Sequence, residues 1–235
     1  MKSYVVVDTE TTGTQPLNSD IIEIGAVYIE NNKVKDTFKR LVKPEQVISP
    51  YITSITGITN EMVAKEEPIE KVMPEFIDFC KNAPLIGHNL IVFDYRMLKV
   101  KATRLGFEFE KTALDTLIIA RKMLADLPSR KLKNLCEHYE ISLLNAHRAY
   151  DDAYATYELF LKLKEEFYAQ EPGLFEPQKI EWEIPKTYPI TGKQKNFLTK
   201  LVDKYEIGLE KDIDKFTKSE ASRAIDKIIS QYGRL

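Results

Sequence analysis

Apolar residues fall into two rhythms along this chain. Residues 3–8 (SYVVVD) are apolar at successive positions between polar ends, the pattern of a central strand buried on both faces. Residues 21–30 (IIEIGAVYIE) and 34–42 (VKDTFKRLV) read as two more strands, and the Asn31-Asn32 pair between them predicts a hairpin turn. The rhythm then changes. Ile69, Val72, Met73, Phe76, Ile77 and Cys80 recur at helical spacing, which predicts a helix over 69–81. A short buried strand at 84–88 (PLIGH) follows, then helices at about 93–105, 115–125, 131–139 and 150–169. Strands first and alternating helices and strands afterwards imply an α/β chain with a mixed sheet flanked by helices.

Periodicity fails over 170–189, which holds four of the eleven prolines and the only tryptophan. That density predicts a linker. Its apolar residues Leu174, Phe175, Ile180 and Trp182 imply that part of it adheres to a domain surface. Beyond it, Thr191 with Gln194 and Thr217 with Glu220 both fit the S/T-x-x-E/Q capping box, each leading into an amphipathic stretch. The expected organisation is a domain over 1–169, a linker over 170–189 and a small helical domain over 190–235.

Composition narrows the class. The 235 residues are 43% hydrophobic and 30% charged, which suits a globular chain with a sizeable core and excludes disorder. Two cysteines cannot build a disulfide framework, so a reducing cytoplasm is the expected setting. No apolar run reaches membrane-spanning length, and the start MKSYVVVDTE lacks the pattern of a secretion signal. The net charge of −2 hides an asymmetry: residues 186–235 carry 11 Lys and Arg against 7 Asp and Glu, a net of +4, and the remainder nets −6. A basic tail suits a polyanionic partner, and it equally suits an ordinary solvated helix surface.

The chemistry-bearing candidates are acids at element ends. Asp8 and Glu10 are two residues apart at the end of the first strand, so both project to one side of the sheet. Asp94 and Asp152 each open a helix and share its apolar face. Each alone also reads as an acid favoured at a strand end or a helix N-terminus. Jointly, four converging carboxylates demand cations, and an all-oxygen donor set suits Mg²⁺ or Mn²⁺. Two such ions clamp an in-line displacement at phosphorus. His147, five residues before Asp152, is the candidate general base. His88 reads as a polar-network residue at a strand end.

The segments VVDTETTG, GHNLIVFD and HRAYDDA, in this order, resemble the three motifs of the DEDD exonuclease superfamily in its DEDDh branch. That branch includes the proofreading epsilon subunit of bacterial DNA polymerase III. The resemblance spans about residues 1–168. It implies a ribonuclease H-like fold with a mixed five-stranded sheet, two divalent metals held by Asp8, Glu10, Asp94 and Asp152, and 3′→5′ release of nucleoside monophosphates. It further implies that Thr11 and Thr12 meet the terminal nucleotide through backbone amides, that Phe93 packs near it, and that Ile55 and Ile58 wedge its base. Thr56 stands where many relatives carry histidine. Asp115 matches a supporting position. The implied partners are single-stranded DNA or 3′ ends, alternatively RNA, and a DNA polymerase. No membrane partner is expected. The tail resembles, more loosely, small helical modules that touch nucleic acid, with Lys193, Lys195, Lys200, Lys204 and Lys218 as phosphate contacts. Polymerase docking is its rival role. A non-catalytic binding protein is the alternative from a different class, disfavoured because all four acids are present.

Overall fold

A computed structural model describes the chain except residues 144, 145, 187, 210 and 235. It divides into two compact units, Met1–Trp182 and Glu183–Leu235.

The first unit is built on a mixed sheet in the order β3-β2-β1-β4-β5-β6. Strands β1 (Ser3–Thr11), β2 (Ile21–Glu30) and β3 (Lys33–Leu41) form an antiparallel meander. Asn31 and Asn32 turn its hairpin with φ of 51° and 59°, the paired left-handed conformation that asparagine tolerates best after glycine. Strands β4 (Leu85–Gly87) and β5 (Thr112–Asp115) run parallel to β1. Seven helices accompany them among the described residues: α1 (Pro50–Thr56), α2 (Asn60–Val63), α3 (Ile69–Cys80), α4 (Asp94–Arg104), α5 (Thr116–Met123), α6 (Leu132–His138) and α7 (Ala149–Phe167).

Alternation along β1 assigns its two faces. Val5 and Val7 pack in one core with Val72, Met73 and Phe76 of α3 and Met97 and Leu98 of α4. Tyr4 and Val6 pack in the other with Ile119 of α5, Leu135 of α6 and Leu159, Phe160 and Leu163 of α7. Each such fully buried aliphatic side chain stabilises by about 1.5–3 kcal/mol. The parity continues past the core: Asp8 and Glu10 face the α7 side, and Thr9 faces α4.

The sheet has six strands, not the five expected. The sixth, β6 (Gln178–Lys179), comes from the proline-rich stretch and pairs antiparallel with Thr112 and Ala113. The cause is hydrophobic. Phe175 and Ile180 are buried in the two cores, and Trp182 packs on the first. Much of the expected linker therefore belongs to the first unit.

In the second unit, α8 (Gly192–Tyr205) and α9 (Lys218–Tyr232) each start on a complete capping box, Thr191–Gln194 and Thr217–Glu220. Leu198, Leu201, Phe216, Ala221, Ile225 and Ile228 form its core. Lys195 is paired with Asp214 across it. Among the described residues no helix is long and apolar enough to cross a membrane.

Candidate metal centre

The site lies at the end of β1. Carboxylate oxygens of Asp8, Glu10 and Asp152 lie within 4.8 Å of one another. Asp8 and Glu10 arrive by strand parity. Asp152 arrives on the first turn of α7, whose start rests directly on β2. A Cβ on Gly25 would sit 2.1 Å from backbone atoms of both Ala149 and Tyr150, so only glycine permits this approach. Gly25 is the partner of Asp8 across the ladder, which sets the acid opposite the seat of the helix.

Two residues earlier on β2, buried Glu23 fixes the same helix end. Its carboxylate accepts the Arg148 guanidinium (Nη2 at 2.8 Å, Nε at 3.2 Å) and the Ala149 amide at 3.0 Å. The next contact is to the site itself: the His147 amide donates to Asp152 Oδ2 at 2.7 Å. His147 adopts φ of 68°, and its side chain is exposed. The imidazole thus stands in solvent at the rim, tied through its backbone to a member of the acid cluster.

Asp94 is held differently. It is 3% exposed and opens α4, and its Oδ1 accepts the Thr9 amide at 2.9 Å and the Thr9 hydroxyl at 2.7 Å. The loop ahead of it is pinned by Asp115, which accepts the Asn89 amide (2.9 Å), the Ile91 amide (3.1 Å) and the Leu117 amide (3.0 Å). Asp94 lies outside the three-acid group but close enough to raise the pKa of Asp8.

The electrostatics are those of carboxylates crowded together in a buried place. Burial, then Asp94, Asp152 and Glu10, hold the Asp8 carboxyl well above the ordinary range. Burial and the neighbouring acids push Glu10 to about 8. Burial lifts Asp94 to about 7 against the Thr9 hydrogen bonds, and Asp152 to about 6 against the His147 amide. Mutual repulsion in an all-oxygen cluster is relieved by hard divalent ions, so these residues fit them.

The expected substrate contacts divide. Ile55 on α1 is 37% exposed, and Phe93 is half-buried just before Asp94. Ile58 is a correction: it is 0% exposed, in a core with Ile22, Ile48 and Val63, and has no surface to give a base. Thr11 is buried, with its hydroxyl donating to Gly13 O at 2.7 Å. Thr12 is a second correction. Its amide already donates to the Asp20 carbonyl at 2.8 Å, so it is not a free donor here. Thr56 is buried, accepting the Ile58 amide. His88 is the network residue expected: Nε2 donates to Arg130 O at 2.9 Å, and Nδ1 lies 3.0 Å from the Thr116 hydroxyl.

A family model described as exonuclease, of the ribonuclease T type, matches residues 5–160. The chain belongs to the exonuclease family. It is 47% identical over 171 residues to a PolC-type DNA polymerase III of Caldanaerobacter subterraneus, covering 73% of this chain and 12% of that polymerase. It is 34% identical over 167 residues to the DNA polymerase III epsilon subunit of Aquifex aeolicus, covering 71% of this chain and 82% of that subunit. Among solved structures, exonuclease I matches with a TM-score of 0.65 at 24% identity, over 74% of this chain and 42% of that one. The ribonuclease H-like exonuclease fold is therefore present. The chain spans only about an eighth of the PolC-type relatives it matches.

Sequence reading missed three residues that build this candidate site: Glu23, Gly25 and Arg148. A signal existed. Glu23 and Gly25 interrupt an otherwise apolar strand, and a charge there requires a partner from elsewhere. The partner is 125 residues away.

Proposed function

We propose that this chain is a metal-dependent 3′→5′ exonuclease acting on DNA and releasing nucleoside 5′-monophosphates. The observation that carries the reading is the gathering of Asp8, Glu10 and Asp152, with buried Asp94 beside them and His147 tied to Asp152 at the rim. Asp8, Glu10, Asp94 and Asp152 would hold two divalent ions, Mg²⁺ or Mn²⁺, and those ions, when bound, activate water and stabilise the leaving oxygen of a phosphodiester.

The protein's own residues do the rest. Thr9 locks one oxygen of Asp94 with two hydrogen bonds. Glu23 and Arg148 hold the start of α7, so Asp152 keeps its place opposite Asp8. The His147 imidazole takes the proton from the attacking water, a task that neutral imidazole performs near pH 7. Its exposed side chain is open to a substrate end from the rim. Ile55 and Phe93 offer apolar surface to the terminal nucleotide.

DNA is favoured over RNA because the PolC-type and epsilon relatives are DNA polymerase III components. The same likeness supports a polymerase partner and a cytoplasmic setting. The residues of 190–235 would serve as an accessory nucleic-acid or polymerase contact. Digestion of matched, end-labelled DNA and RNA oligonucleotides with Mg²⁺ or Mn²⁺ tests the reading. Stepwise loss from the 3′ end of DNA, blocked by EDTA and by Asp8→Ala, is expected. No digestion of either polymer, or full activity in excess EDTA, would overturn it.

A further inference from the structure

Beside the acid site lies a pocket that the proposed chemistry does not use. It has a volume of about 660 Å³, and its lining includes His88, Asn89, Arg121, Arg130 and Lys131. Its floor is fixed. His88 ties the end of β4 to the Arg130 carbonyl, and the Arg130 guanidinium is turned back on the carbonyls of Leu127 and Ala125, each at 2.7 Å. Asn89 is held through its amide by Asp115 in a left-handed conformation, φ 67°. Arg121 on α5 and Lys131 at the start of α6 are exposed, and among the described residues neither has a carboxylate partner. Two cations without a carboxylate partner among the described residues thus flank a hollow that Leu117, Pro128 and Leu132 also line.

The position matters as much as the charge. Strands β1, β4 and β5 are parallel, so the residues following each lie along one end of the sheet. The acid cluster occupies the end of β1. The loop that leaves the pocket at His88 and Asn89 runs without interruption to Asp94. A strand with its 3′ end among the acids approaches a unit of net negative charge, since the residues before 186 net −6. A cationic hollow along the same sheet end offsets that charge for one of the strand's phosphates.

We propose that this pocket binds a phosphodiester of the substrate strand upstream of the terminal nucleotide, with Arg121 and Lys131 as its cations. The proposal rests on the exonuclease reading only for the direction of the strand. It makes the pocket the determinant of strand affinity, while the acid cluster supplies the chemistry. Clamping one phosphate contributes about 0.7 to the log–log salt dependence of single-strand binding.

The test uses the full chain in an Asp8→Ala background, which prevents digestion during titration. Binding of a long fluorescent oligothymidylate and of thymidine 5′-monophosphate is compared with and without Arg121→Ala plus Lys131→Ala. Both side chains are exposed, so the fold is spared. The expected result is weaker oligonucleotide binding, a salt slope lower by about 0.7, and unchanged affinity for the mononucleotide, which has no upstream phosphodiester. An unchanged slope and affinity for the oligonucleotide would overturn the proposal. So would an equal loss on the mononucleotide, which would assign the cations to the terminal nucleotide. Failure of the chain with Asp8 intact to digest any strand would sink the exonuclease reading alone, since the binding comparison stands apart from turnover.

Discussion

Two helix starts deliver acids to this site, and they are secured by opposite means. Asp94 at the start of α4 is locked by its own carboxylate: one oxygen takes two hydrogen bonds from Thr9, and Asp115 pins the loop before it. Asp152 at the start of α7 is placed by the backbone of its helix, seated on Gly25 and tethered by Glu23 to Arg148 and Ala149. The first arrangement is redundant, with two hydrogen bonds on one carboxylate oxygen and a second acid pinning the loop. The second hangs on one glycine and one carboxylate, and it carries the exposed base candidate, His147. One wall of the site is therefore held through the carboxylate itself and the other through the helix that carries it, with the His147 side chain exposed beside the second.

The sharpest way to break the contrast is Gly25→Val. Its side chain would overlap the Ala149–Tyr150 backbone, lifting Asp152 away from Asp8. Activity should fall by about 10²-fold, the loss that a misplacement of about 1 Å can cause, with about 1–3 kcal/mol of stability lost to overpacking. Oligonucleotide digestion and urea melts measure the two. Near-wild-type turnover would mean that α7 is not seated as described.

His147→Ala should lower turnover by about 10²–10⁴-fold while sparing strand affinity. A loss expressed in KM alone would remove His147 from proton transfer.

Glu23→Gln keeps the shape of the clamp but removes its charge. Turnover should drop about tenfold or more, within the range that slight misplacement produces. Thr9→Val is the matched change on the Asp94 wall. It deletes the hydroxyl bond to Asp94 but leaves the amide bond, so its effect should be several-fold smaller. Equal effects from the two would erase the distinction drawn here.

The smallest effect is on stability. Asp8, Glu10, Asp94 and Asp152 all have carboxyl pKa values raised by folding. The folded protein therefore holds more protons than the unfolded chain between the ordinary carboxylate range and about pH 8, so metal-free stability should fall as pH rises through that window. In EDTA, the melting temperature should decline from about pH 5 to about pH 8, and Asp8→Asn or added Mn²⁺ should flatten the decline. A rise with pH in EDTA would show that the acids do not share a site.

Much of this was legible because it is local. The VVV run of β1, the Asn-Asn hairpin, the stripe of α3 and both capping boxes encode their structures within a few residues. Strand parity alone placed Asp8 and Glu10 on one side. What was not legible depends on distant partners. The Glu23–Arg148 clamp spans 125 positions. Ile58 reads equally as a base wedge or a core residue until Ile22 and Ile48 are seen around it. Helices α1 and α2 have seven and four residues, too short for a periodic signal, and are marked only by the caps of Ser49 and Thr59. The sixth strand hides in a proline-rich stretch because its two paired residues are exposed and its anchoring apolar residues lie outside the strand.

That two-residue strand has a consequence for the life of the protein in solution. β5 would otherwise present open amides and carbonyls along its outer margin, and an uncovered strand margin invites pairing with another molecule. Gln178 and Lys179 occupy that margin, with Phe175 and Ile180 as the bolts on either side. A chain cut after residue 169 would keep its acid cluster and lose its guard. It should self-associate with time and concentration, visible as growth in light scattering, whereas a chain cut after Trp182 should stay dispersed.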